Sequence, residues 1–207
     1  MNLQTIKLIA ALFSMKQEIR LIFFTLGVIC LLPVFAVLIL TQAGLDIISG
    51  ALVFPNPQTA QVDILDPATG EVIDHIDQVA TWPIHGPVTL EFGQHSPFQL
   101  FHTGIDIADP SREIGDPVVA FTKGRVIGIG ISSIGYGKYV KVDHGHFVTS
   151  IYAHLDTINV SEGREVDSGT ILGTRGSTGW STGPHLHFEI RVFGIPVNPR
   201  VFLTGEP

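Results

Sequence analysis

Between Arg20 and Asp46 the chain runs through 25 consecutive positions, Leu21 to Leu45, without a charged residue, and most of them are apolar. In hydrocarbon every backbone N–H and C=O must be satisfied internally, so a single run of this kind is restricted to a helix. A stretch of about 20 apolar residues suffices to cross a bilayer. Gly27 and Pro33 lie inside the run, and both residue types are tolerated in membrane helices. The run predicts one transmembrane helix over 21–45. It also accounts for a mean hydropathy of +0.36, high for a soluble protein.

The flanks set the orientation. Lys7, Lys16 and Arg20, against Glu18, precede the run, and the first charge after it is Asp46. Basic residues stay on the cytoplasmic side, so 1–20 is expected as a cytoplasmic segment and the remainder outside the cytoplasm, periplasmic or cell-wall-facing. Beyond residue 45 there are nine basic against eighteen acidic residues, a net of −9 with His neutral. That balance argues against a nucleic-acid partner, which calls for a basic surface. A cleaved signal peptide is the rival reading, with Thr41-Gln42-Ala43 ahead of Gly44 as a small-residue site. The apolar run exceeds the 7–15 residues of a signal core, which favours an uncleaved anchor. Cys30, the only cysteine, lies mid-run in no lipoprotein context. The exported part therefore has neither a disulfide nor a Cys-ligated metal. In residues 1–14, Ile6, Ile9, Ala10 and Phe13 fall at helical spacing, which fits a short interfacial helix; a start at Met15 is the competing reading.

Residues 46–80 read as an extracytoplasmic tether broken by Pro55-Asn56-Pro57 and Pro67-Ala68-Thr69-Gly70. Within it Val62–Leu65 and Glu71–Asp74 could pair as a small hairpin. From Trp82 the texture changes to short alternating runs punctuated by glycine. Val118–Phe121, Gly124–Ile129, Lys138–Asp143, Phe147–His154 and Leu186–Val192 read as strands, the third alternating polar and apolar strictly. After residue 82 no window of ten or more residues has a helical period. The expected fold is therefore all-β, a compact antiparallel domain over 81–204, with no internal repeat. Gly173–Gly183, with four glycines among Ser and Thr, reads as a flexible loop. It lacks the Lys-Ser/Thr ending and following helix of a phosphate loop.

Two tight clusters carry the candidate chemistry. His102-Thr103-Gly104-Ile105-Asp106 comes first, and Gly183-Pro184-His185-Leu186-His187-Phe188-Glu189 follows about eighty residues later. On a strand, i and i+2 share a face, so His185 and His187 can converge on one site. Gly104 argues against a helix between His102 and Asp106, so irregular backbone or a strand end is needed to bring both to one point. Three histidines and a carboxylate match the inventory of a catalytic zinc site, in which three protein groups hold the metal and one position stays open. His154, at the end of Tyr152-Ala153-His154-Leu155, joins them. Each element alone is weak: a histidine pair on a strand is more often a polar outer face, and His102 and Asp106 more often turn residues.

Taken together and in this order, the three motifs resemble the lysostaphin/LytM-type zinc metallopeptidase family, from about Trp82 (ahead of Glu91-Phe92-Gly93) to about Phe202. The resemblance implies a compact antiparallel β fold and an endopeptidase acting on stem or cross-bridge peptides of bacterial peptidoglycan. Residue by residue it implies that His102, Asp106 and His187 ligate Zn2+, and that His154 and His185 flank its open side as catalytic groups. A neutral imidazole there can serve as general base, and a second can stabilise an oxyanion or protonate the leaving amine. The residues do not separate those two roles. The Ser132–Lys138 segment and the Gly173–Gly183 loop are expected to wall the groove. Tyr136, Tyr152 and Trp180 are candidate substrate contacts, although such residues more often pack. His75, His85, His95, His144 and His146 are expected to be structural. A non-catalytic scaffold or regulator on the same fold is the alternative function, disfavoured by the complete ligand set. A lipoyl-type carrier is excluded, because residues 142–207 contain no lysine to modify.

Overall fold

The computed structural model describes residue 4 and residues 17–79, 81–95, 99–108, 111 and 113–207; inside the N-terminal helix the side chains of 17–20, 30, 33–43 and 45 are not described. The reading of residues 1–14 as an interfacial helix lies outside the described residues. The chain divides after Thr41 into two units.

Helix α1 (Gln17–Leu52) extends beyond the expected 21–45 at both ends. Among the described residues no helix is long and apolar enough to cross a membrane, and the side chains in the middle of the expected span are not among them. The helix's last turns belong to the second unit. There Ser49 is buried and its Oγ accepts the N–H of Asn198 at 3.0 Å.

The segment expected as a tether carries a three-stranded antiparallel sheet: β1 (Val53–Asn56), β2 (Gln61–Leu65) and β3 (Val72–Asp77). Pro55 lies within β1, whereas Pro57, Pro67 and Gly70 mark the turns between strands. The Asp66 carboxylate accepts the N–H groups of Ala68 and Thr69, and Gly70 turns the chain at φ 71°. Val62, Ile64 and Ile76 alternate into the hydrophobic core while their neighbours stay in solvent, the period-2 pattern of a half-buried sheet.

The larger sheet runs in the order β11 (Glu165–Val166), β7 (Gly124–Gly130), β8 (Tyr139–Asp143), β9 (Val148–Ala153), β13 (Leu186–Val192), β5 (Ile105–Ile107), β4 (Val88–Leu90). Strand β14 (Ile195–Val197) pairs with the C-terminal half of β13, and β5 with its N-terminal half. A second three-stranded sheet, β10 (Leu155–Ile158), β12 (Ile171–Arg175) and β6 (Pro117–Val119), contributes Leu155, Leu172 and Val118 to the same core. The fold is mostly β, as expected; among the described residues the only helical structure after α1 is the 3-10 turn Pro199–Val201. The strands missing from the sequence reading are two to five residues long, too short to show a period. Strand β12 runs through Gly173 to Arg175, so the expected flexible loop begins only at Gly176. A Cβ on Gly173 would lie 2.1 Å from the Thr157 carbonyl oxygen.

Phe121 and Phe188 meet edge to face at 5.6 Å between the two sheets. Tyr152, a candidate substrate contact from sequence, is fully buried here and its OH accepts the N–H of Phe121 at 3.1 Å. It is a packing residue. His144 is also interior. Its Nδ1–H donates to the Lys123 carbonyl at 2.7 Å, and its Nε2 accepts from Ser150 Oγ at 2.7 Å. Burial pushes its pKa down to about 4, against the opposing pull of the Lys123 carbonyl and Asp143.

Because the folded His144 protonates less readily than the unfolded residue, the unfolded chain binds more protons between pH 6.5 and 4. The stability contributed by this group is complete above pH 6.5 and is lost as pH falls toward 4. In urea unfolding of the full chain, the stability advantage of wild type over His144→Gln should shrink by up to ~3 kcal/mol between pH 7 and pH 4. A pH-independent difference would show that His144 is not held neutral by the fold.

Candidate metal centre

Strand register assembles the site. His187 on β13 lies opposite Asp106 on β5 and, across the other edge, opposite Ala153 on β9. His154 follows Ala153 immediately. Backbone pairing therefore sets His187 and Asp106 side by side, and His154, just past the end of β9 with φ 61°, turns off the strand beside them. His102 enters from the irregular segment before β5. That segment is pinned by Gly93 N–H to the His102 carbonyl at 2.8 Å and by His102 N–H to the Gln94 carbonyl at 2.7 Å. Between His102 and Asp106 the chain passes flat against β13: a Cβ on Gly104 would lie 2.3 Å from the Phe188 carbonyl oxygen. Glycine is required there by close approach, in agreement with the non-helical spacing read from the motif.

His102 Nε2, Asp106 Oδ1 and His187 Nδ1 form a triangle with edges of 2.8 and 2.9 Å. Among the described residues these three form the only group of His, Cys, Asp or Glu side chains placed to hold a metal ion. Both histidines are buried. The remaining ring nitrogens are engaged elsewhere: His102 Nδ1 with the Glu91 carbonyl and His187 Nε2 with Glu189 Oε2, each at 3.3 Å. With those N–H groups committed, neutral rings would turn lone pairs toward one another and toward Asp106. Two lone pairs and a carboxylate oxygen within 2.9 Å of one another repel unless a proton or a cation lies between them. Burial alone would raise the Asp106 carboxyl, but hydrogen bonds from His102 and His187 outweigh it and hold it well below the usual carboxylate range. Burial pulls the His187 imidazole down, and the hydrogen bonds to Asp106 and Glu189 overcome this and push it up to about 9. The donor set thus fits a divalent cation, whose binding would release the Nδ1 proton. Two nitrogens and one carboxylate with an open fourth position is a ligand set that zinc takes in catalytic sites.

His154 and His185 stand beside the triangle, their ring centroids 4.7 Å apart and the His154 ring 5.9 Å from that of His187. One loop sets the tautomer of both. His154 Nδ1–H donates to the Thr178 carbonyl at 2.7 Å, and His185 Nδ1–H to the Gly183 carbonyl at 2.8 Å. Each therefore keeps its lone pair on Nε2. His185 Nε2 is 3.6 Å from Asp106 Oδ2. Burial lowers the pKa of His154 to about 4, assisted by His185 and His187, so its imidazole is neutral at pH 7. Its backbone is in the left-handed region at φ 61°, a conformation that costs a non-glycine residue energy and that clusters at functional sites.

All five site residues expected from the motifs come together. Tyr136, a candidate substrate contact that could equally pack, donates its OH to Glu189 Oε2 at 2.7 Å. Trp180 is exposed on the loop between Thr178 and Gly183, its N–H bonded to the Gly135 carbonyl at 2.9 Å. Of the histidines read as structural, His85 and His95 are exposed, and His146 pairs with Asp74 at 2.8 Å. Glu189 went unrecognised as a site residue. It is fully buried, and Thr103 Oγ1 also donates to it at 2.7 Å. Burial would raise its pKa, but the contacts with His187, Arg191 and Tyr136 bring it down to about 2. Its signal was present: a carboxylate two positions after His187 lies on the same strand face. The carbonyls of Glu91, Thr178 and Gly183 had no signal, since every residue carries one.

Residues 100–199 match Peptidase family M23. The DD-carboxypeptidase/endopeptidase Mpg of Neisseria meningitidis serogroup B is 47% identical over 98 residues, which is 47% of this chain and 22% of that protein. The murein hydrolase activator NlpD of Escherichia coli K12 is 40% identical over 122 residues, covering 59% of this chain and 30% of that protein. The catalytic domain of the antimicrobial peptidase lysostaphin from Staphylococcus simulans superposes with a TM-score of 0.55 at 29% identity, over 62% of this chain and 100% of that one. The fold is lysostaphin-like, and residues 100–199 carry a Peptidase family M23 domain. The chain spans less than a third of the length of these two curated relatives.

The close approach at Gly104 is testable without any ligand. Gly104→Ala should lower the unfolding free energy by ~1–3 kcal/mol, the usual cost of forcing atoms into a packed interior. Gly128→Ala, whose Cβ would meet only Lys141 Cβ at 3.7 Å, should change it by less than ~0.5 kcal/mol. Equal effects in urea titrations would refute the packing argument.

Proposed function

We propose that this protein is a membrane-anchored zinc metalloendopeptidase that hydrolyses peptide bonds in bacterial peptidoglycan. The observation carrying this reading is the convergence of His102 Nε2, Asp106 Oδ1 and His187 Nδ1 within 2.9 Å, beside two imidazoles whose tautomers leave Nε2 basic. His102, Asp106 and His187 would hold the cation. When bound, Zn2+ supplies Lewis acidity toward a carbonyl and lowers the pKa of water from 15.7 to about 7. His154 is neutral at pH 7 and accepts a proton at Nε2 as general base. His185, beside the Asp106 carboxylate, also presents a lone pair on Nε2 and, once it has taken up a proton there, returns it to the leaving amine. Thr178 and Gly183 keep the two rings from turning away. The similarity to Mpg and lysostaphin supports peptidase action; acting on peptidoglycan is taken from the family resemblance and the words "murein hydrolase" in the name of NlpD.

The uncharged run 21–45, the basic residues ahead of it and the helical backbone of Gln17–Leu52 support a single-pass anchor with the β domain outside the cytoplasm. Such an anchor confines the enzyme to the membrane-facing side of the wall. The similarity to NlpD favours a second reading, an activator that works through another hydrolase.

Purified full chain in detergent, supplied with zinc, should bind one equivalent and release new amines from purified peptidoglycan. His187→Ala should lose the metal and fall to the enzyme-free rate. Zinc binding without amine release, together with stimulation of a separate wall hydrolase, would replace the peptidase reading by the activator reading. For topology, protease added outside intact spheroplasts should digest residues 46–207; complete protection would refute the orientation.

A further inference from the structure

We propose that Glu189 is a positioning residue for the metal centre, fixing the tautomer and ring plane of His187 and, through Tyr136, tying that ring to the strand end that presents His154. The inference rests on the zinc reading above.

A carboxylate with no exposure in the middle of Leu186–Val192 is costly unless every oxygen is satisfied by good donors. Here four groups point at it. Thr103 Oγ1 and Tyr136 OH donate to Oε2 at 2.7 Å, His187 Nε2 lies 3.3 Å from the same oxygen, and Arg191 Nε donates to Oε1. Arg191 also reaches the Tyr136 hydroxyl at 3.1 Å. Arg191 satisfies Oε1 and leaves Oε2 to the other three. The other donors belong to segments that carry the site. Thr103 adjoins His102. Tyr136 packs its ring 5.7 Å from that of His187, and its backbone carbonyl accepts the N–H of His154 at 2.9 Å.

The tautomer argument makes the role specific. A neutral imidazole has one N–H. To hold a cation with Nδ1, the atom facing His102 and Asp106, His187 must carry its proton on Nε2. Glu189 is the group facing that nitrogen. An ionised acceptor there orients the ring and raises the basicity of the ligating nitrogen, and loss of such outer partners costs metal sites about 10–100-fold in affinity. Tyr136 extends the effect: the residue that clamps Glu189 also holds the backbone of His154, so the cation-holding strand and the base-bearing strand end share one buried anchor.

The test is zinc affinity of the full chain in detergent, measured against a chromophoric chelator, together with the visible absorption of the Co2+ form. Glu189→Gln keeps the volume and the hydrogen-bond acceptor and removes the charge. It should remain folded by circular dichroism, bind zinc about 10–100-fold more weakly and shift the Co2+ bands. The double variant Thr103→Val/Tyr136→Phe leaves the carboxylate in place with fewer clamps. It should weaken binding in the same direction by a smaller factor, and it decides the question should Glu189→Gln fail to fold. A role in folding alone would lower thermal stability without moving either metal readout, so a folded variant with wild-type affinity and an unchanged Co2+ spectrum overturns the proposal. Failure of the wild type itself to bind zinc would instead overturn the metal reading on which it rests.

Discussion

The pairing of β13 with β5 on one edge and β9 on the other decides everything at the site. His187, Asp106 and Ala153 are register partners on three adjacent strands, so ligand distances are set by backbone hydrogen bonds before any side chain adjusts. A slip of one residue would turn His187 into the opposite face and Leu186 or Phe188 outward. Both of those are completely buried, so the hydrophobic core enforces the register that brings His187 and Asp106 together. Stability and function are coupled here by the two-residue alternation of a single strand.

Around that row the protein controls where protons sit. Four imidazoles meet in a small volume, and each has one nitrogen occupied by an oxygen from the scaffold: the Glu91, Thr178 and Gly183 carbonyls and the Glu189 carboxylate. The opposite nitrogens of His102 and His187 face Asp106 Oδ1 at 2.9 Å, where a proton or a cation must lie between them, and that of His185 lies 3.6 Å from Asp106 Oδ2. Because two of the anchors lie in the short loop 176–184, that loop tunes both flanking groups at once. Its path is held in turn by the contact of Gly137 with Thr178 and of Gly179 with Gly135, where a Cβ would lie 2.4 and 2.3 Å from backbone atoms.

Much of this was legible in the chain itself. The five site residues stood in three motifs, of which His185–His187 has a spacing that places both side chains on one strand face, and the alternating runs showed the strands that carry them. Lys138–Asp143 and Leu186–Val192 were readable because they are long enough for a period. Strands such as β5, β11 and β14, at two or three residues, were not. The Pro- and Gly-rich stretch 53–77 read as a tether with one possible hairpin; β2 and β3 do pair there and bury Val62, Ile64 and Ile76, while β1, interrupted by Pro55, showed no period.

What the sequence determined by itself was the inventory and its order: an uncharged apolar run, a β-rich domain, and four histidines with a carboxylate in three motifs. Such facts depend on residue type and local spacing, which one dimension preserves. What only the tertiary structure decided was the proton assignment and the roles that follow from it. Tyr152 became a core residue, Tyr136 a clamp on Glu189, and His154 a neutral imidazole in a strained backbone. Those outcomes depend on burial and on backbone carbonyls brought from elsewhere in the chain, and neither is written in the identity of the residue that responds to them.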